Sequence, residues 1–352
     1  MQVLIIANTR FKGGLSGGDA IYESFLKYWE GCDFKVSDMR GISYAPFVCC
    51  YLHRILLGCF RAIIDNTRYD FVYSSSDFLP DSIPAIIYKL KGRRWVAGYF
   101  LSAFKENKVH YYTQKVIKYL IKRMADMVIV TNPTMYDLFL GKKKTWINGG
   151  IHAGMGGLSD KEKEYDAVFC GRIHPSKGID LLIKAWDYVL NFNKNARLAI
   201  IGDGDLGVEY VFKKVKEIFG HDEKSIDVLG YMGDKRFNVF KKSKVVLYPV
   251  NHHYAHFSIA PVEGMICGCP MVAIENPVMK FFVKNMGMKG VYLTGDSEYS
   301  FALQIAKIID QKYKEKVLDA FDWATQFNYE KQANRVFNDI KKEFGYENIS
   351  NG

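Results

Sequence analysis

The chain has 352 residues, 49% of them hydrophobic and 24% charged, with a formal net charge of +10 at pH 7. That length fits two domains with sizeable cores, and the composition excludes wholesale disorder and a collagen-like chain. The charge is uneven: residues 1–150 hold 21 basic and 12 acidic side chains against 27 and 26 in residues 151–352, so +9 of it lies in the first part. Such an excess points to an anionic partner, either a membrane surface or a nucleic acid.

The seven cysteines include no CxxC pair, so neither a disulfide framework nor a zinc site is expected, and a reducing cytoplasm is the natural setting. The start, Met1 to Ala7, lacks a basic n-region, so no secretory leader is expected. Residues 46–64 form the most apolar stretch. His53, Arg54 and Arg61 interrupt it, and no transmembrane helix is expected there.

In chain order, short apolar runs alternate with helix-length segments. The runs begin at Val3, Phe71, Trp95, Met127 and Thr145, then at Ala167, Arg197, Ile226, Val245, Met271 and Val291. Runs of this length at this spacing predict βαβ units and parallel sheets buried on both faces. They are too many for one modest sheet. A glycine-rich and then charged segment, Gly149 to Glu164, reads as the break between halves. The expected architecture is α/β, with two Rossmann-like domains facing each other across a cleft. The first covers residues 1–155 and the second 160–320. Residues 299–345 read as helical throughout.

Four loops could carry chemistry. Phe11 to Asp19 follows the first strand, and Gly17 and Gly18 at the next helix's start let backbone N–H groups approach an anion. Gly202-Asp-Gly-Asp-Leu-Gly207 fits a dinucleotide fingerprint, an acidic metal loop at Asp203 and Asp205, or a turn that needs glycine, the last being favoured. Gly171-Arg-Ile-His-Pro-Ser-Lys-Gly178 sets Arg172 and Lys177 at a strand's carboxyl end, where a fork and a point charge together suit a diphosphate or form a solvated loop. Phe257 to Ala273 places Glu263 in an otherwise apolar helix, where it needs ligand hydroxyls or a structural cation as partner.

Together these loops and Val228-Leu-Gly-Tyr-Met-Gly233 resemble the family-4 (group 1) retaining glycosyltransferases of the GT-B fold. The resemblance implies an enzyme that moves a sugar, with retention, from a nucleoside-diphosphate-sugar to a lipid-linked or glycan acceptor, without a cofactor or metal. It implies that Arg172 and Lys177 bind the diphosphate and that Glu263 holds the ribose. Backbone groups at Gly17, Gly18, Ser258, Ile259 and Ala260 would cradle phosphate and sugar, and Met232 would meet the base through its backbone. It also implies that a helix over 323–345 packs back on the first domain. Two positions depart from the family pattern. Ala255 stands where a second glutamate is usual, and Tyr99-Phe-Leu-Ser102 replaces a usual histidine, so His256 becomes the candidate for the sugar contact.

The basic half then gains a role. Lys105, Lys108, Lys115, Lys118, Lys122 and Arg123 interleave with Tyr111, Tyr112, Ile117, Tyr119 and Leu120, which suits a helix on an anionic membrane surface. The expected location is cytoplasmic and peripheral to the membrane's cytoplasmic face. No motif supports nucleic-acid binding, and none is expected. Two other readings are a non-catalytic subunit that binds sugar nucleotides and an NAD-dependent oxidoreductase built on Gly202 to Gly207.

Overall fold

Twelve strands of the computed structural model fall into two six-stranded parallel sheets. It describes all residues except 10–16, 40–41, 43–46, 101–107, 132, 152–153, 161, 205, 222, 252–257, 311 and 347–352. The chain divides into two units. Met1–Gly150 and Tyr329–Gly352 form one, and Ile151–Asn328 forms the other.

The first unit runs β1 (Gln2–Ala7), α1 (Gly17–Tyr28), β2 (Asp33–Asp38), α2 (Phe47–Ile64), β3 (Phe71–Ser74), α3 (Leu79–Leu90), β4 (Arg94–Tyr99), α4 (Lys108–Met124), β5 (Met127–Val130) and β6 (Lys143–Trp146). Its sheet order is β2-β1-β3-β4-β5-β6. The central strands are buried on both faces, which is why they read as unbroken apolar runs. β2 escapes that reading. It is an edge strand, Asp-Phe-Lys-Val-Ser-Asp, with much of its length open to solvent.

The second unit comprises β7 (Tyr165–Cys170), α5 (Ile179–Phe192), β8 (Leu198–Ile201), α6 (Gly207–Phe219), β9 (Ile226–Gly230), α7 (Arg236–Lys241), β10 (Ser243–Tyr248), α8 (Ile259–Met265), β11 (Met271–Ile274), α9 (Pro277–Asn285), β12 (Val291–Thr294), α10 (Glu298–Ile309) and α11 (Val317–Ala324). Its sheet order is β12-β11-β10-β7-β8-β9. In each sheet the strand order reverses beside the first strand of the unit, at β1/β3 and at β7/β10. A crevice opens outside the carboxyl ends of the strands at such a switch point.

The segment expected to be helical over 299–345 is broken into α10, α11 and α12 (Tyr329–Phe344), with short 3-10 turns between. The returning helix starts at Tyr329, not near Trp323. Trp323 stays with the second unit, edge-on to Phe282 and against Phe327. α12 covers the first sheet's α1 side: Trp29 stacks on Phe337 at 5.1 Å and donates its indole N–H to the Ala333 carbonyl at 2.8 Å. Val336, Phe337 and Ile340 complete one core there with Ile5, Phe71 and Ile129. α2, α3 and α4 lie elsewhere on the unit, with α3 packed against both of the others.

Candidate functional site

The loop leaving β7 is built by glycine and by backbone bonds. Gly171 donates to the Ile201 carbonyl at 3.0 Å, and buried Ile173 donates to the Asp203 carbonyl at 2.9 Å. A 3-10 turn over Pro175–Lys177 follows, capped by the His174 ring on the Ser176 N–H at 3.1 Å. Gly178 ends the turn at φ 74°, and a Cβ there would lie 2.0 Å from the Pro249 carbonyl oxygen. No other residue fits. That close approach joins the loop after β7 to the loop after β10, at the second sheet's switch point.

The glycines after β8 serve the same loop. A Cβ on Gly202 would lie 1.8 Å from the Gly171 carbonyl oxygen, and one on Gly204 would lie 2.5 Å from Arg172 Cγ. Gly202 and Gly204 therefore make room for the Arg172 loop, and this turn is not free to receive a dinucleotide. Asp203 Oδ1 accepts its neighbour's N–H, that of Gly204, at 2.8 Å. Asp205 lies outside the described residues, and no group of three metal-ligating side chains occurs among those described.

Arg172 stands exposed beside Lys177, which is partly buried. The Lys177 ammonium meets no hydrogen-bond acceptor or carboxylate among the described residues. Burial first, and then the neighbouring Arg172 charge, push its pKa below the ordinary lysine value. A partly buried cation next to a second cation can attract an anion.

Glu263 is 7% exposed on α8. α8 sits hard on β10, where a Cβ at Gly264 would lie 2.8 Å from Val246 Cβ. The partner of Glu263 is Arg236, the first residue of α7. Arg236 Nε and Nη2 donate to its two carboxylate oxygens at 2.8 and 2.7 Å, and Nη1 donates to the Gly233 carbonyl at 2.6 Å. This fork raises the arginine's pKa above its usual value, with Glu263 as the main cause. The Cys170 thiol at the end of β7 is pushed up to about 12 by burial and then by the Glu263 charge, which places that carboxylate near the switch point.

The other expected residues distribute as follows. Ser258 is the residue before α8, and its backbone hydrogen-bonds the buried Tyr248 hydroxyl, so that N–H group is already engaged; Ile259 and Ala260 open the helix. Met232 precedes the 3-10 turn Gly233–Lys235, and its carbonyl accepts from Lys235 N–H at 3.1 Å. Gly17 and Gly18 are the first residues of α1, in the first unit. His256, Ala255 and the rest of the glycine loop lie outside the described residues.

Sequence reasoning passed over a buried polar cluster at the first sheet's switch point. Asp81, fully buried in α3, accepts from Thr9 N–H at 2.9 Å, Ser75 Oγ at 3.2 Å and Ser76 Oγ at 2.5 Å. Asp77 accepts from Gln114 Nε2 at 2.5 Å. The signal was an Asp77…Asp81 pair directly after a strand, with Pro80 opening the helix.

Burial pushes the Asp77 carboxyl up to about 6, and that of Asp81 to about 7 despite its hydrogen bonds. A carboxyl whose folded pKa exceeds its unfolded value favours the folded state only while protonated. The contribution of both is therefore full below about pH 4 and is lost as pH rises to about 6 for Asp77 and about 7 for Asp81. Asp81→Asn should flatten the fall in stability over that window, because an amide can face the serine hydroxyls while its oxygen keeps the Thr9 bond. Urea midpoints measured against pH for both proteins check this, and parallel curves would contradict it.

Residues 164–311, all within the second unit, match the family model described as glycosyl transferases group 1. No curated protein matches the chain in sequence. Among solved structures, Anabaena HepE in complex with UDP-glucose is 16% identical, with TM-score 0.72 over 97% of this chain and 100% of its own. Sucrose-phosphate synthase from Thermosynechococcus elongatus is 15% identical, with TM-score 0.74 over 98% and 100%. A putative UDP-N-acetylglucosamine 2-epimerase from Listeria monocytogenes is 14% identical, with TM-score 0.65 over 99% and 97%. The fold is thus GT-B, with a Rossmann-like sheet in each unit.

Proposed function

We propose that the protein is a cytoplasmic glycosyltransferase that takes a sugar from a nucleoside-diphosphate-sugar and passes it to a lipid-linked or glycan hydroxyl. The bond from the anomeric carbon to the diphosphate breaks, a bond from the acceptor oxygen forms, and the acceptor proton leaves. Retention at that carbon follows from the family resemblance. The observation that carries the reading is the Lys177 ammonium, partly buried beside Arg172 and lacking an anionic partner among the described residues, at the second sheet's switch point. There the two cations would offset the charge that develops on the departing diphosphate. With that charge supplied by side chains, the reading calls for no metal.

Glu263 supports the reading from α8. Its oxygens retain acceptor capacity beyond the Arg236 fork, so ribose hydroxyls can donate to them. The group 1 domain match over 164–311 narrows the choice within a fold that also carries a putative epimerase. On this reading the acceptor binds in the first unit, at the carboxyl ends of β1 and β3.

A thermal-shift panel of nucleoside diphosphates and their sugars tests this. At least one should raise apparent stability, by about 2.7 kcal/mol at a hundredfold excess over Kd, and chelator should leave both the shift and turnover unchanged. No shift with any member would overturn the reading.

A further inference from the structure

α2 is built inside out. Its inward positions, Cys50, Arg54, Gly58 and Ala62, recur every four residues and are buried. Gly58 allows close packing, since a Cβ there would lie 2.8 Å from Pro84 of α3. Arg54 is fully buried: Nε donates to the Ile42 carbonyl at 2.9 Å, and Nη1 to those of Asn8 and Thr9 at 3.1 and 3.2 Å. Of the two arginines that interrupt this apolar stretch in the sequence, Arg54 therefore points into the protein, whereas Arg61 is exposed. Val48, Leu52, Leu56, Phe60, Ile63 and Ile64 point outward and are between 53% and 70% exposed.

Six large apolar side chains along about 25 Å of helix form more than the scattered exposed residues of an ordinary surface. α4 adds Tyr112, Val116 and Tyr119, each more than half exposed, with Lys115, Lys122 and Arg123 exposed beside them. Neither α2 nor α4 contains an acidic residue. No described helix is long and apolar enough to cross a membrane.

We infer that the outward faces of α2 and α4, two helices that both pack on α3, dock this unit onto an anionic lipid bilayer, with α2 lying in the interface plane and supplying most of the hydrocarbon. Hydrocarbon facing out beside clustered cations is the chemistry of a surface-bound amphipathic helix. A two-fold contact between copies would instead set Arg61 and the α4 cations against their own kind. The face lies wholly within the first unit and does not depend on the donor-site reading. It goes beyond the α4 segment expected from sequence, because the hydrocarbon comes mainly from α2.

Co-sedimentation of the full chain with mixed phosphatidylcholine–phosphatidylglycerol vesicles and with pure phosphatidylcholine vesicles tests the docking. The protein should pellet with the mixed vesicles, and less so as salt rises. Leu52→Glu/Leu56→Glu should weaken binding at least about tenfold while keeping the melting temperature and nucleotide-induced shift, because both side chains already face outward. Lys115→Glu/Lys122→Glu should remove the preference for anionic lipid. Wild-type protein that ignores the mixed vesicles, or an apolar-face variant that binds them as before, would overturn the inference. So would a wild-type dimer that the same variant splits, since a second copy would then be the occupant.

Discussion

Lys177→Ala should lower transfer by about 100- to 1,000-fold, the scale of losing one charge-stabilising group at a reacting centre, and should not lower the melting temperature. The two halves of that expectation come from one fact. The ammonium meets no anion among the described residues, and burial and Arg172 both disfavour its charge. Removing it takes away no hydrogen bond or ion pair among the described residues and relieves a desolvation cost, so stability holds. What is lost is its attraction for an arriving anion. Arg172→Lys should retain part of the activity that Arg172→Ala loses, because a point charge remains where the fork is gone. Steady-state kinetics and thermal unfolding on the same preparations check both. A lysine that proved structural would show loss of stability along with activity.

Glu263→Gln should have the opposite profile and destabilise the second unit. The substitution leaves the Arg236 guanidinium, whose side chain is 23% exposed, facing an amide instead of a carboxylate that is 9% exposed. Breaking a buried pair costs about 3–5 kcal/mol; allowing for solvent reaching the arginine side, about 2–3 is expected here. In a unit of this size that is a fall of roughly 4–12 °C in melting temperature. The Arg236→Gln variant separates structure from binding. It should lose comparable stability yet retain nucleotide binding, because Glu263 remains to meet the ribose. Equal loss of nucleotide affinity in both variants would show that Glu263 acts only through its ion pair.

The loop Gly171 to Gly178 stood out in the sequence because Arg172 and Lys177 both leave a strand's carboxyl end and Pro175 and Gly178 shape the loop. Glu263 also stood out as a carboxylate among apolar neighbours. Its partner did not, since Arg236 lies 27 residues away and reaches it only through the packing of α7 against α8. The glycines after β8 fit three local readings, and only the approach of Gly171 and Arg172 to them decides for the turn. Arg54 misled by composition. Counted in a window it merely breaks an apolar stretch, whereas the four-residue spacing of Cys50, Arg54, Gly58 and Ala62 already marks the packed face. β2 was missed because an exposed edge strand has no apolar run to show. The Asp77 and Asp81 pair was overlooked because burial, not residue type, perturbs it.

The central claim is that Arg172 and Lys177 form the seat of a donor diphosphate. Isothermal titration of a nucleoside diphosphate and of its parent nucleoside, each into wild type and Lys177→Ala, tests it most directly. The diphosphate should bind wild type and lose at least about tenfold in affinity on substitution, about 1.4 kcal/mol, while the nucleoside binds both proteins alike. Diphosphate affinity that is equal in the two proteins would contradict the assignment.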